Sequence, residues 1–213
     1  MTRTVYVPAS RIERWLDTYA TRHGSGPVTV DGSAVVVAGT DGATARLSLL
    51  WPGLELGADP VADLLAAVRV RHRLGLLTVR ADGHALGIWD GEKVATSKRK
   101  GHYVQSRTAA GGWSQQRFAR RRENQAKAAY ESAAGDVAAI LEPVVGTLDG
   151  ILAAGNPAGI TAVLGDHRCR RTAALAAAVP LARLELRDTS RDALSELAER
   201  FLSVVIGIDE PEN

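Results

Sequence analysis

The chain has 213 residues and a net charge of +2, enough for one large domain or two small ones and not a polycation overall. Hydrophobic residues make up 46% of it and aromatics only 5%, so a sizeable core is within reach, built from aliphatics and closely packed alanine-rich helices. A single cysteine, Cys169, excludes an internal disulfide framework and a cysteine-based zinc site. The N-terminus lacks an apolar signal region, and no run approaches ~18 apolar residues. The expectation is a soluble protein of the reducing cytoplasm with no membrane partner.

Residues 3–8 read as a short strand ended by Pro8. Ser10-Arg11-Ile12-Glu13 has the form of a capping box. Ile12, Trp15, Leu16 and Tyr19 follow at the spacing of an amphipathic helix. Val28–Val30 and Ala34–Val37 flank Asp31-Gly32, a hairpin turn, and Ala45–Trp51 makes a third strand. Residues 1–56 are therefore expected to form a small helix-and-meander unit. After it, Asp59-Pro60 supplies an N-cap with proline at the first helical position. Val61, Leu64, Leu65 and Val68 form one apolar face.

From Leu74 the period changes. Leu76–Val79, Ala85–Trp89 and Glu92–Ser97 form a second meander, punctuated by Asp82-Gly83 and Asp90-Gly91. A helix is expected from Ser114 to about Leu141, with an apolar stripe through Tyr130, Ala133 and Val137. Beyond it the pattern reads as a helix over 147–154 stopped by Gly155-Asn156-Pro157, then a buried strand over Ile160–Leu164. A helix over 168–178, a strand over Leu181–Leu186 and a last helix over 190–205 complete the chain. The fold class is α/β of mixed α+β character: a β-meander followed by β-α-β-α, with a mixed sheet covered by helices. The boundary is placed so that residues 57–213 form the second domain.

Between Lys98 and Arg122 lie eight of the 26 Lys and Arg residues and no Asp or Glu. The cations are Lys98, Arg99, Lys100, Arg107, Arg117, Arg120, Arg121 and Arg122, with His102 among them. Such a run calls for a polyanion. At its centre Gly111-Gly112 frees the backbone to come close to something bulky. Trp113, Gln115 and Gln116 follow.

The segment Gly111-Gly112-Trp113-Ser114-Gln115-Gln116-Arg117-Phe118-Ala119-Arg120 resembles the catalytic loop and following helix of the archaeo-eukaryotic polypeptide release factors, which carry Gly-Gly-Gln, then Ser, two residues and Arg-Phe-Ala-Arg. The flanking order of elements also resembles their middle domain, over roughly residues 61–205. Trp113 stands where that family has its glutamine. The spacing Gly112-Trp113-Ser114-Gln115 instead resembles the Vms-type branch of release-factor-like peptidyl-tRNA hydrolases, with an actinobacterial branch of short single chains as the nearest likeness. The resemblance implies hydrolysis of the ester between nascent peptide and tRNA in the ribosomal peptidyl-transferase centre, with no metal and no cofactor. It implies Gln115 as the catalytic residue, Gly111 and Gly112 as loop-shaping residues, and large-subunit RNA and peptidyl-tRNA as partners. Lys98, Arg99, Lys100, His102, Arg107, Trp113, Arg117, Arg120, Arg121 and Arg122 would contact RNA. The first 56 residues do not resemble the family's stop-codon-reading domain, so codon independence is expected.

Three alternatives remain open at this point. Gln116 rivals Gln115; a release-factor fold can serve as a non-catalytic RNA-binding factor; and a ribonuclease is the weaker third, because no acidic cluster or histidine pair accompanies the basic stretch. Asp166-His167-Arg168-Cys169 invites a nucleophile or metal reading, and a helix-capping turn explains it better. His23, His72 and His84 are expected in ordinary surface or core roles. The sequence is silent on oligomeric state and on modification of Gln115.

Overall fold

The structure, a computed structural model of the chain, describes residues 2–101, 113–179 and 191–210. In chain order the elements begin β1 (Thr2–Val7), α1 (Ile12–His23), β2 (Val28–Asp31), β3 (Ala34–Ala38), β4 (Thr44–Leu49) and α2 (Pro60–Val68). They continue β5 (Leu74–Arg80), β6 (Gly83–Trp89), β7 (Val94–Gly101), α3 (Trp113–Ile140), β8 (Gly150–Gly155), α4 (Pro157–Leu164) and α5 (Arg170–Ala178). The described chain ends with α6 (Arg191–Phe201) and β9 (Val204–Asp209). No helix among the described residues is long and apolar enough to cross a membrane.

Packing divides the chain into one unit of Met1–Val70 with Glu199–Asn213 and a second of Arg71–Ala198. This differs from the expected break at 56/57 for two reasons. Leu64 of α2 is fully buried with Val7, Ile12 and Leu47 of the first unit. The C-terminal strand also returns to the first sheet, whose order is β1-β9-β4-β3-β2. There Ile206 stands opposite both Val5 and Leu47 in antiparallel register.

In the first unit the expected helix, hairpin and third strand are present. Gly32 takes φ +61° in the hairpin turn, which glycine adopts without strain. Asp59 caps α2, its carboxylate accepting the Ala62 N–H at 3.0 Å. The capping box at Ser10 does not form. Arg11 N–H donates to Pro8 O at 2.8 Å, and that 3-10 turn draws Ser10 inside itself, leaving Arg11 as an N-cap without a side-chain bond.

The second unit is built on a mixed sheet of order β7-β6-β5-β8, in which β5 and β8 are parallel and the other pairs antiparallel. Leu77, Val79, Leu86 and Ile88 on one face share a core with Ala133, Val137 and Leu141 of the α3 region and with Ile160 and Val163 of α4. On the other face Leu194 of α6 fills the space beside Gly87, whose added Cβ would lie 3.4 Å from Leu194 Cδ1.

Two expected elements are exchanged. Residues 150–155 form β8 where a helix was expected, and Pro157–Leu164 form α4 where a strand was expected. Both runs are short and apolar, so periodicity alone does not separate strand from helix. The decisive residue is Asn156, whose side chain accepts the Gly159 N–H at 3.0 Å. With Pro157 at the first helical position, the Gly-Asn-Pro triplet starts a helix rather than stopping one. The last helix ends at Phe201, and the β-branched run that follows forms β9. The strand expected over 181–186 lies outside the described residues.

Candidate catalytic helix and nucleic-acid interface

The basic stretch begins on a strand. Lys98, Arg99 and Lys100 belong to β7, an edge of the second sheet. Alternation along the strand sends Lys98 and Lys100 to the face covered by α3. Lys98 Nζ donates to Asp136 Oδ1 at 2.7 Å and Lys100 Nζ to Ser132 Oγ at 2.8 Å. Asp136 Oδ2 lies 2.9 Å from Nε2 of His84, a residue only 1% exposed. Two cations of the run therefore fasten α3 to the sheet, although Lys98 remains 49% exposed. Arg99 is exposed on the opposite alternation.

Partial burial pushes the Asp136 carboxyl up, and hydrogen bonds from Lys98 and His84 more than offset this, leaving it below its ordinary value. A lowered carboxylate stabilises the fold above its unfolded-state pKa and loses that contribution as pH falls through the lower folded-state value. Asp136→Asn is expected to lower stability by about 1–2 kcal/mol at neutral pH, since a charge-assisted bond is lost while an amide still fills the site. In urea titrations the gap from the wild type should narrow once pH drops below about 4. A gap independent of pH would show that the charge of Asp136 is not what holds the helix.

The expected helix start is met closely, because α3 begins at Trp113 and runs 28 residues. Trp113, Gln115 and Gln116 thus occupy its first turn and Arg117 follows directly; Gln115 sits on the helix rather than in a loop. The first four N–H groups of a helix have no intrahelical acceptor, and the macrodipole makes that end positive. Arg120 and Arg121 are exposed further along, and Arg122 lies on the same helical stretch. The first fully buried residue among those described is Ala129. Gly111, Gly112, His102 and Arg107 lie outside the described residues.

Asp166 caps the turn before α5 as expected, accepting the Arg168 N–H at 2.9 Å. The Arg168 side chain, bonded to the same carboxylate at 2.8 Å, holds Asp166 well below the usual carboxylate range. Glu142 clasps α5 from behind, accepting from Arg171 N at 2.7 Å, Thr172 N at 2.9 Å and Thr172 Oγ1 at 2.6 Å. No group of three or more metal-ligating side chains occurs among the described residues. Cys169 is fully buried, and burial pushes its thiol up to about 11. A thiol kept protonated and covered is a poor nucleophile. Iodoacetamide at pH 8 should therefore leave native Cys169 unmodified over a period that labels it fully in urea; rapid native labelling, followed by mass spectrometry, would overturn this assignment.

Sequence reasoning missed Asp136 and Ser132 and read His84 as ordinary. The available clue was geometric. Ser132 and Asp136 stand four apart on one helical face, and Lys98 and Lys100 stand two apart on one strand face.

No curated protein matches the chain. The crystal structure of an archaeal translation termination factor, aRF1, has a TM-score of 0.44 to it at 12% identity, over 91% of this chain and 62% of that one. At that distance the likeness bears on no individual residue. The sequence pattern of one protein family extends over residues 72–207, from just before β5 into β9, and so takes in the meander, α3 and the basic run. On that span the chain belongs to the Actinobacteria/chloroflexi VLRF1 release factor family.

Proposed function

We infer that the protein is a codon-independent peptidyl-tRNA hydrolase that frees nascent peptides from stalled ribosomes or large subunits in the cytoplasm. The observation that carries this is the position of Gln115 in the first turn of α3, separated from the glycine pair by Trp113 and Ser114 and followed after Gln116 by Arg117-Phe118-Ala119-Arg120. In this reading the unit Arg71–Ala198 performs release and the remaining unit is accessory.

The chemistry asks little of the protein. Water attacks the ester carbonyl, and negative charge develops on the carbonyl oxygen and then on the departing ribose oxygen. Hydrogen-bond donors aimed at that charge lower the barrier. The unpaired N–H groups at a helix start are such donors. The Gln115 amide orients the water and leaves no room for a larger nucleophile. Gly111 and Gly112 keep the approach slim enough for a site walled by RNA. Arg117, Arg120, Arg121, Arg122, Arg107 and Arg99 contact phosphates, with His102 beside them and Trp113 stacking on a base or bracing the loop. That binding is strongly salt-dependent. Lys98 and Lys100 have a double role, since each also holds α3.

The test is release of a labelled peptide from purified ribosomal complexes that carry peptidyl-tRNA and no stop codon. Release by the wild-type chain supports the reading. Ribosome binding without release would replace it with a non-catalytic binding factor, the reading favoured by Trp113 at the position where related release factors carry glutamine.

A further inference from the structure

The unit of Met1–Val70 and Glu199–Asn213 takes no part in the chemistry above, yet its surface is not that of an inert scaffold. Among the described residues its sheet ends on β1, one side of which is unpaired. Two hollows lie along β1 and α1, one of about 600 Å³ and one of about 200 Å³. Trp15 and Thr18 line both, so the two hollows adjoin along α1.

The lining alternates cations and rings. Arg11, the N-cap of α1, and Trp15, Tyr19 and Arg22 on the helix fall along one stripe at helical spacing. Arg14 joins them on the helix, and Arg3 faces them from β1. Trp15 stacks on Tyr19 with centroids 5.3 Å apart and planes at 18°, and Tyr19 lies 4.8 Å from the His23 ring. At the far end Tyr6 is 37% exposed, with the Arg200 guanidinium 4.4 Å from its ring centre. Among the described residues the one carboxylate in the lining is Glu210, already ion-paired with Arg22 at 3.4 Å. Among the described residues Arg3, Arg11 and Arg14 have no acidic partner. A solvated helix face mixes both signs of charge; this lining is predominantly cationic, with Glu210 neutralised by Arg22, and sets flat rings between the charges.

We propose that the groove between β1 and α1 binds single-stranded RNA, its arginines on successive phosphates and Trp15 and Tyr6 under the bases. Arginine gives sequence-independent attraction to the backbone, and aromatic rings accept any base by stacking. Charge complementarity selects a polyanion, and the rings select one with bases. The choice of RNA over DNA rests on the release reading, whereas the test below measures binding alone and stands or falls without peptide release.

The experiment uses the full chain and a fluorescent, unstructured 12-nucleotide RNA, followed by anisotropy across a salt series. The triple variant Arg3→Gln/Arg11→Gln/Arg14→Gln is expected to bind about ten-fold more weakly. Its salt slope should flatten by about 2, since each phosphate contact to a single strand contributes about 0.7. Trp15→Leu should weaken binding about five-fold and leave the slope unchanged. RNA carrying 4-thiouridine should crosslink to peptides within residues 3–22 as well as to the basic run. The proposal is overturned if the triple variant keeps both affinity and slope while its thermal melt matches the wild type. It is equally overturned if crosslinks map to residues 98–122 alone, or if polyglutamate of equal length competes as well as RNA does.

Discussion

Replacing Gln115 by alanine is expected, on the proposed release reading, to lower the rate of peptide release by roughly 10²- to 10³-fold, the loss that follows when one positioned polar group is removed from a developing oxyanion or its attacking water. The fold should not change. Position 115 lies in the first turn of α3, where alanine is a good helix former, so the melting temperature should stay within a degree or two. Ribosome affinity should also hold, because the arginines proposed to contact phosphate are untouched. The expected signature is therefore a rate that falls at saturating ribosomes with binding preserved. Gln116→Ala, one residue on and about 100° around the helix, should release peptide at close to the wild-type rate. If the two variants exchange these behaviours, the catalytic residue is Gln116; if both retain full release, the chemistry lies outside this turn.

The second large effect is structural. Gly155→Ala is expected to destabilise the Arg71–Ala198 unit by on the order of 3–5 kcal/mol, from strain at positive φ added to an overpacked contact. Gly155 has φ +104°, and an added Cβ would lie 2.3 Å from the carbonyl oxygen of Val79. That oxygen is backbone on the neighbouring parallel strand, and it accepts the Asn156 N–H at 2.7 Å. Neither atom can move without parting β8 from β5 or uncapping α4. Gly42→Ala is the control: its φ is +90° but nothing lies within 4 Å of the added carbon, so only the backbone strain of about 1 kcal/mol applies. Urea midpoints of the two variants separate the contributions. Near-equal losses would mean that β8 and β5 yield freely at this corner.

Much of the fold was legible where local chemistry is decisive. Asp31-Gly32 marked its hairpin and Asp59-Pro60 its helix start, because each needs only its own neighbours. The start of α3 was legible from the glycine pair and the change of period after it. The exchange of β8 and α4 shows where that logic stops. Both runs are made almost wholly of small and apolar residues, and even the exposed side of α4 is Pro157, Ala158, Thr161 and Ala162, so no charged face reveals the period, and Asn156-Pro157 fits the end of one helix as readily as the start of the next. β9 was hidden for another reason. Its partners, β1 and β4, come from the opposite end of the chain, and no local pattern announces such a pairing. The same holds for the cluster of Asp136, His84 and Lys98. Each is unremarkable in its own segment, and only the fold brings them within 3 Å.

That cluster sits near the base of α3, and the helix makes the distance count. At about 1.5 Å per residue, some 30 Å of rod separates Asp136 from Gln115. A rod of that length is a pointer, and its aim is set at the pivot. A tilt of only about 2° at the Lys98–Asp136–His84 joint would swing the tip by about 1 Å, a displacement that can reduce catalysis on the order of 100-fold. In the release reading proposed above, the ionic joint is thus an aiming device for chemistry about 30 Å away.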